Sequence, residues 1–344
     1  MPLISVLIPC HNAEKWLNAA IKSIRDQSHR ELEILIYDDG STDSTASIIQ
    51  SAAKLDERIA PMSSPSNRGI VHALEAMLNV AKGSYIARMD ADDISMPQRF
   101  QLQLQFMDRG GYALCGTWFR EFGGGIPRDV RWHTSPEELR AAFLFQNTIC
   151  HPTVLAKREV FEEFRYRDSY ELSEDYDLFA RSAARFQLAN LPQVLLHYRR
   201  HATQATQARR SKMETIACRI RLEALRAAGL NPSAEEQRIH NMIRAPKSIH
   251  SEADLQAIEA WLLQLLEVFE HPEAQRVIAS QWIRAAVRAA PLGNVMWRRY
   301  RHSRLRDALA RSAGRDVDLA ILAAMRIDYD SRTFETLRRF GISA

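Results

Sequence analysis

Short apolar runs alternate with stretches of helical periodicity from the start of the chain. Leu3 to Ile8 is apolar apart from Ser5, Trp16, Leu17, Ala20, Ile21 and Ile24 recur at the spacing of one helix face, and Leu32 to Tyr37 is again mostly apolar. Strand, helix and strand in that order make a βαβ unit, the building block of parallel sheets. The run Ser41-Thr42-Asp43-Ser44, rich in residues that cap helix N-termini, predicts a second helix. A third follows Asn67-Arg68-Gly69, with Val71, Leu74, Met77 and Leu78 on one face, and Gly83 stands where a helix should end. Ser84 to Met89 reads as a buried strand, Pro97 as the opening of another helix, and Tyr112 to Phe119 as a further strand. Helical patterns then run from Pro136 to Phe145 and from Glu174 to Arg185, with apolar segments at Thr153 to Leu155 and Leu188 to Tyr198.

After about Thr206 strand signals vanish, and helical segments are punctuated by Gly229-Leu230-Asn231-Pro232, Pro246, Pro272 and Pro291. The expected architecture is therefore α/β: a mixed, mostly parallel sheet flanked by helices over residues 1–205, followed by a helical C-terminal domain over residues 206–344. Composition agrees with a folded chain, 46% hydrophobic and 26% charged over 344 residues. The net charge of +4 is mild and no nucleic-acid-reading motif accompanies it, so no nucleic-acid partner is expected. Cys10, Cys115, Cys150 and Cys218 are far apart and form neither a metal-ligand pattern nor a disulfide framework, as for reduced cytoplasmic thiols. The N-terminus lacks a basic region followed by a signal-length apolar core, and no apolar run approaches about 20 residues. A cytoplasmic protein is expected.

In an open parallel sheet, ligands bind beyond the carboxyl ends of the strands. Three polar clusters follow predicted strands directly: Pro9-Cys10-His11-Asn12, Asp38-Asp39-Gly40-Ser41 and Asp90-Ala91-Asp92-Asp93. Clustered carboxylates repel one another unless a cation is present, and oxygen ligands favour hard ions such as Mg²⁺ or Mn²⁺. Alternate residues of an extended segment point the same way, so Asp90 and Asp92 present two carboxylates together while small Ala91 faces elsewhere. A metal there would bridge the phosphates of a nucleoside diphosphate and stabilise a departing leaving group.

Four motifs in order carry a family resemblance: Ser5-Val6-Leu7-Ile8-Pro9-Cys10-His11-Asn12; Asp38-Asp39-Gly40-Ser41-Thr42-Asp43; Asn67-Arg68-Gly69 leading to Ala81-Lys82-Gly83-Ser84-Tyr85-Ile86; and Met89-Asp90-Ala91-Asp92-Asp93. Ser173-Glu174-Asp175-Tyr176-Asp177-Leu178 adds a fifth. Between about Pro2 and His201 the chain resembles the inverting glycosyltransferases of family 2, which have the GT-A fold. Alone, Asp-Asp-Gly-Ser also makes a good strand-turn-helix junction and Asp-x-Asp occurs in many loops. The resemblance implies that Asp39 accepts a hydrogen bond from the uracil N3–H of a UDP-sugar, a group that donates where an ionised carboxylate only accepts. Pro9, His11, Arg68, Asp90 and Ala91 would contact the same donor, Asp90 at its ribose. Asp92 would hold Mn²⁺ or Mg²⁺, with His201 as a further metal or pyrophosphate contact. Asp175 would be the general base toward an acceptor hydroxyl, with Glu174 orienting it or touching the acceptor. Both acids open a helix, whose N-terminus should depress their pKa values, and Asp177 reads as an ordinary first-turn acid.

The implied activity is inverting, metal-dependent transfer of a hexose or N-acetylhexosamine from a UDP-sugar to a glycan acceptor, in assembly of a bacterial surface polysaccharide or lipooligosaccharide. The alternative is a catalytically lapsed, sugar-nucleotide-binding partner subunit of the same fold. A phosphatase or nucleotidyltransferase using Asp90 and Asp92 fits less well, because such phosphatases carry their Asp-x-Asp after the first strand. The stretch from Val295 to Arg306 mixes bases with large aromatics. It reads either as a peripheral contact with the cytoplasmic membrane face, suiting a lipid-linked acceptor, or as a solvated face with snorkelling arginines or a homodimer interface.

Overall fold

The structure is a computed structural model describing residues 1–201, 210–245, 248–309, 312–329 and 331–339. The chain forms two compact units, one of Met1–Leu139 with Gln146–Ile220 and one of Arg140–Phe145 with Arg221–Ala344. The division expected between residues 205 and 206 lies outside the described residues.

The first unit is built on one sheet. Its strands are β1 (Ile4–Cys10), β2 (Leu32–Asp39), β3 (Ile59–Ser64), β4 (Tyr85–Arg88), β5 (Ile94–Ser95), β6 (Leu114–Phe122), β7 (Arg128–Val130), β8 (Leu155–Lys157) and β9 (Leu188–Arg199). They lie in the order β3-β2-β1-β4-β8-β6-β9-β5, with β7 on β6. From β3 to β4 the sheet is parallel, β6 and β9 are parallel, and β8, β7 and β5 join by antiparallel pairing. Register aligns Cys10 with Asp38 and Leu7 with Arg88, so the segments leaving β1, β2 and β4 emerge at one edge. β1 and β2 are buried along nearly their whole length, because helices cover both faces of a parallel sheet.

The covering helices are α1 (Leu17–Arg25), α2 (Thr45–Leu55), α3 (Ile70–Val80), α4 (Arg99–Gly110), α5 (Pro136–Phe143), α6 (Arg158–Glu163) and α7 (Glu174–Ser182). α1 buries Leu17, Ala20, Ile21 and Ile24, and α3 buries Val71, Leu74, Met77 and Leu78, the positions their periodicity marked. Strand β3 has no counterpart in the sequence reading. It is an edge strand with exposed alternate residues, and Pro61 is tolerated there because an edge needs one ladder of N–H groups fewer. Gly83 does not end α3, whose C-cap is Ala81. Its role is close approach: a Cβ on Gly83 would lie 2.5 Å from the Ser5 backbone nitrogen. The segment Thr153 to Leu155 is not one strand but a 3-10 turn, His151–Thr153, followed by β8. The Gly123-Gly124-Gly125 run is the turn of the β6–β7 hairpin.

The second unit is helical: α8 (Arg210–Ala227) runs into it, followed by α9 (Ala234–Met242), α10 (Glu252–Val268), α11 (Pro272–Arg288), α12 (Asn294–His302), α13 (Ala313–Ala324) and α14 (Arg332–Arg339). Capping boxes start α9 at Ser233 and Glu236 and α10 at Ser251 and Asp254. Fully buried Trp282 is packed in a core with Leu262, Leu265, Ile278, Tyr300 and Leu322. Buried His240 accepts from Trp261 Nε1–H at Nδ1 (2.9 Å) and so donates from Nε2 to the Leu144 carbonyl (2.7 Å). Burial lowers its pKa to about 4, so the ring is a neutral structural link. Among the described residues no helix is long and apolar enough to cross a membrane.

Candidate active site

The loops leaving β1 and β2 are fastened to each other by side chains of the first two motifs. Asn12, held at φ 49°, accepts from the Thr42 N–H through Oδ1 (2.9 Å), while its own N–H donates to Ser41 Oγ (2.9 Å). The Ala13 N–H donates to Thr45 Oγ1 (2.8 Å), and the Ser44 N–H to Glu14 Oε2 (3.0 Å). His11 is exposed, with Nδ1 donating to the Asp39 carbonyl (2.9 Å), and Pro9 lies at the end of β1. Asp38 accepts from the Ser41 N–H (3.0 Å). Asp39 is 5% exposed and takes the Arg68 N–H on Oδ1 (2.9 Å) and the Gly69 N–H on Oδ2 (2.8 Å). Each carboxylate oxygen keeps one further acceptor position. The Arg68 side chain is exposed at the rim of a cavity of about 490 Å³, whose polar wall includes His72, Glu75, Tyr166 and Glu171.

Beside this clasp sit the acids after β4. Oxygen atoms of Asp90, Asp92 and Asp93 all lie within 4.8 Å of one another, and Ala91 is buried between them. Asp90 Oδ1 pairs with Arg88 (2.6 Å), a guanidinium only 4% exposed. Asp92 Oδ2 meets His201 Nε2 at 2.8 Å, and the His201 ring is stacked on Trp16. Asp93 is fully buried; Oδ1 accepts from the Arg199 N–H (2.8 Å) and Oδ2 has no hydrogen-bond partner. Burial and then the charge of Asp90 push the carboxyls of Asp92 and Asp93 above the ordinary range. A crowded all-oxygen group with an orphaned buried oxygen and raised pKa values has the chemistry of a hard divalent-cation site, to which a neutral His201 can add a nitrogen.

The Glu174-Asp175 pair opens α7. Asp175 accepts from Asn147 Nδ2–H (2.8 Å) and from the Tyr176 N–H (2.7 Å). Glu174 is 7% exposed, and its Oε2 has no hydrogen-bond partner. The expected depression of their pKa values is reversed: burial, followed by the Asp175 charge, raises Glu174 to about 7, and burial raises Asp175. A helix N-terminus is worth a fraction of a kcal/mol to roughly 2, less than removing a carboxylate from water costs. Asp177 also departs from expectation. It is 1% exposed and clamped by Arg167 and Arg181, an ion-paired anchor for α7 rather than a solvated first-turn acid.

Thus Asp90, Asp92, Asp93 and His201 come together at one point, and Arg88 and Asp90 are near enough to act on Asp175 electrostatically. Sequence reading had given no role to Asp93, Arg88 or Asn147. Asp93 stood in the acidic cluster after a predicted strand, and Arg88 carried a signal of its own, since it precedes Asp90 by two positions and alternation puts both on one side.

A mixed sheet with these acids beyond its parallel strands, joined to a helical region, is the GT-A transferase architecture. Solved structures agree in fold. Staphylococcus aureus TarS, residues 1–349, in complex with UDP-GlcNAc aligns with a TM-score of 0.58 at 14% identity, covering 93% of this chain and 90% of that one. The mannosyltransferase PcManGT of Pyrobaculum calidifontis, in complex with GDP-Man and Mn²⁺, aligns with a TM-score of 0.54 at 16% identity, covering 89% and 85%. The sequence model of glycosyl transferase family 2 matches residues 5–165. An uncharacterized glycosyltransferase of Haemophilus influenzae is 30% identical over 64% of this chain and 73% of its own length. The O-antigen biosynthesis glycosyltransferase WbnJ of Escherichia coli is 28% identical over 58% of this chain and 81% of its own length. The chain belongs to glycosyltransferase family 2 and is a transferase enzyme.

Proposed function

We propose that the enzyme transfers a hexose or N-acetylhexosamine from a UDP-sugar to a hydroxyl of a glycan acceptor, with inversion and with Mn²⁺ or Mg²⁺, in assembly of a bacterial surface polysaccharide on the cytoplasmic side. The observation that carries this reading is the convergence of Asp90, Asp92 and Asp93 at the strand edge beside Asp39. Asp39, already oriented by two backbone N–H groups, offers its remaining lone pairs to a uracil N3–H, with Pro9, His11 and Arg68 around the nucleotide. Asp90 and Ala91 border the ribose, and Asp92, Asp93 and His201 would hold the cation. When bound, that ion supplies charge neutralisation for the departing diphosphate.

Asp175 takes the proton of the acceptor hydroxyl as its oxygen bonds to the anomeric carbon, on the face opposite the breaking bond to UDP. Asn147 holds the carboxylate for that transfer, so positioning contributes along with basicity. The polar cavity beside Arg68 suits a hydroxyl-rich sugar. The retention of every acid favours an active enzyme over the lapsed partner subunit.

The deciding experiment is isothermal titration of UDP, GDP and dTDP with Mn²⁺ and with EDTA. Metal-dependent selectivity for UDP is expected; equal affinity for all three, or binding indifferent to EDTA, refutes the donor assignment. The raised carboxyls also set a pH dependence. Because the base must be ionised, the acceptor kcat/KM falls as pH drops through a limb that burial of Asp175 sets above the ordinary aspartate value of about 3.9. Glu174→Gln, removing a neighbouring negative charge, shifts that limb downward. A wild-type limb near the ordinary value would count against a desolvated base.

A further inference from the structure

One face of the second unit has chemistry that sugar transfer does not use. No Asp or Glu occurs between Glu273 and Asp307, a stretch holding eight arginines. α12 buries Met296 and Tyr300, so at 100° per residue Arg298, Arg301 and His302 point away from the core, and all three are exposed. Arg299 is neutralised by Glu252 and Glu259, and Arg306 by Asp316. Among the described residues, no carboxylate lies within ion-pair distance of Arg298, Arg301 or the exposed Arg304 that follows them. Half-buried Trp297 is stacked on Tyr300 and lies beneath the Arg301 guanidinium.

α13 runs antiparallel beside α12. The Tyr300 hydroxyl donates to Asp316 Oδ1 (3.2 Å) at one end, and at the other a Cβ on Gly293 would lie 3.1 Å from Arg326 Nε. Leu319, Leu322 and Ala323 of α13 are buried, while Val317, Ile321 and Met325, at successive four-residue steps, are 56%, 38% and 59% exposed. Around α12, Trp297 and Arg301 follow Tyr300 outward from the seam; around α13, Ala324 and Val317 follow Ala323. An arginine strip therefore joins an apolar strip on one outward surface.

We infer that the α12–α13 face docks on an anionic lipid bilayer, with Arg298, Arg301 and Arg304 at headgroup phosphates and Trp297, Val317, Ile321 and Met325 in the interfacial layer. Such a surface gains from lipid charge and from burial of its apolar flank together. A second copy is a poorer occupant, since two-fold self-association would set unpaired arginines near their own images. Nucleic acid offers no apolar complement to the α13 strip. The inference does not depend on which sugar nucleotide is the donor.

The test is co-sedimentation of the full chain with vesicles of phosphatidylcholine alone and of equal parts phosphatidylcholine and phosphatidylglycerol. Partition to the anionic vesicles only is expected, decreasing with salt. Reversing two cations, in Arg298→Glu with Arg301→Glu, should lower the partition coefficient more than about twentyfold. Ile321→Ser with Met325→Ser should lower it severalfold without changing salt sensitivity, and circular dichroism checks both folds. Failure to bind, equal partition to neutral vesicles, wild-type partition by the double arginine variant, or a concentration-dependent dimer abolished by the Ile321 and Met325 changes without vesicle binding would each overturn the inference.

Discussion

Asp175→Asn is expected to lower kcat by about a thousandfold, within the range assigned to general-base catalysis, while leaving UDP affinity within about twofold. The substitution keeps the volume and an oxygen that can accept from Asn147, but replaces the ionised carboxylate with a neutral amide. Loss confined to kcat identifies a group that acts on the reacting hydroxyl. Near-normal turnover would remove Asp175 from the role of base and direct attention to Glu174. Single-turnover kinetics separate this loss from altered product release.

Asp92→Ala should weaken metal-dependent UDP binding by at least about a hundredfold, since changes even to residues behind the ligands cost 10–100-fold in metal affinity. Stability provides an independent readout. Without a cation, Asp92 is opposed by Asp90 and is only partly compensated by His201, so its removal should leave the melting temperature in EDTA nearly unchanged. Mn²⁺ should then raise the melting temperature of the wild type and not that of the variant, because a ligand that binds only the native state stabilises it by mass action. An equal rise in both would place the ion elsewhere.

Burial periodicity made β1, α1, β2 and α3 legible, because each buries a face whose spacing is local in the sequence. The strand-end acids were legible for a related reason: polar residues directly after buried runs must lie at the sheet edge. What stayed hidden depended on distant partners. Asp93 is fully buried because Arg199, at the end of β9, closes over it from 106 residues away. Asp177 looks like any acid in a first turn until Arg167 and Arg181 enclose it. The sign of the Glu174 shift failed likewise. Helix position is read locally, but the desolvation that outweighs it comes from packing no short window contains.

The side-chain clasp between the loops after β1 and β2 bears on how the enzyme meets its donor. Asn12, Glu14, Ser41 and Thr45 tie the two segments together within the folded protein itself. The conformational entropy of those loops is thus lost during folding instead of at each encounter, leaving a preorganised floor for the nucleotide proposed to bind there. The same economy narrows evolutionary freedom, because substitution on one loop strands a polar group on the other. Diversification of donor and acceptor preference is therefore directed to elements outside the clasp.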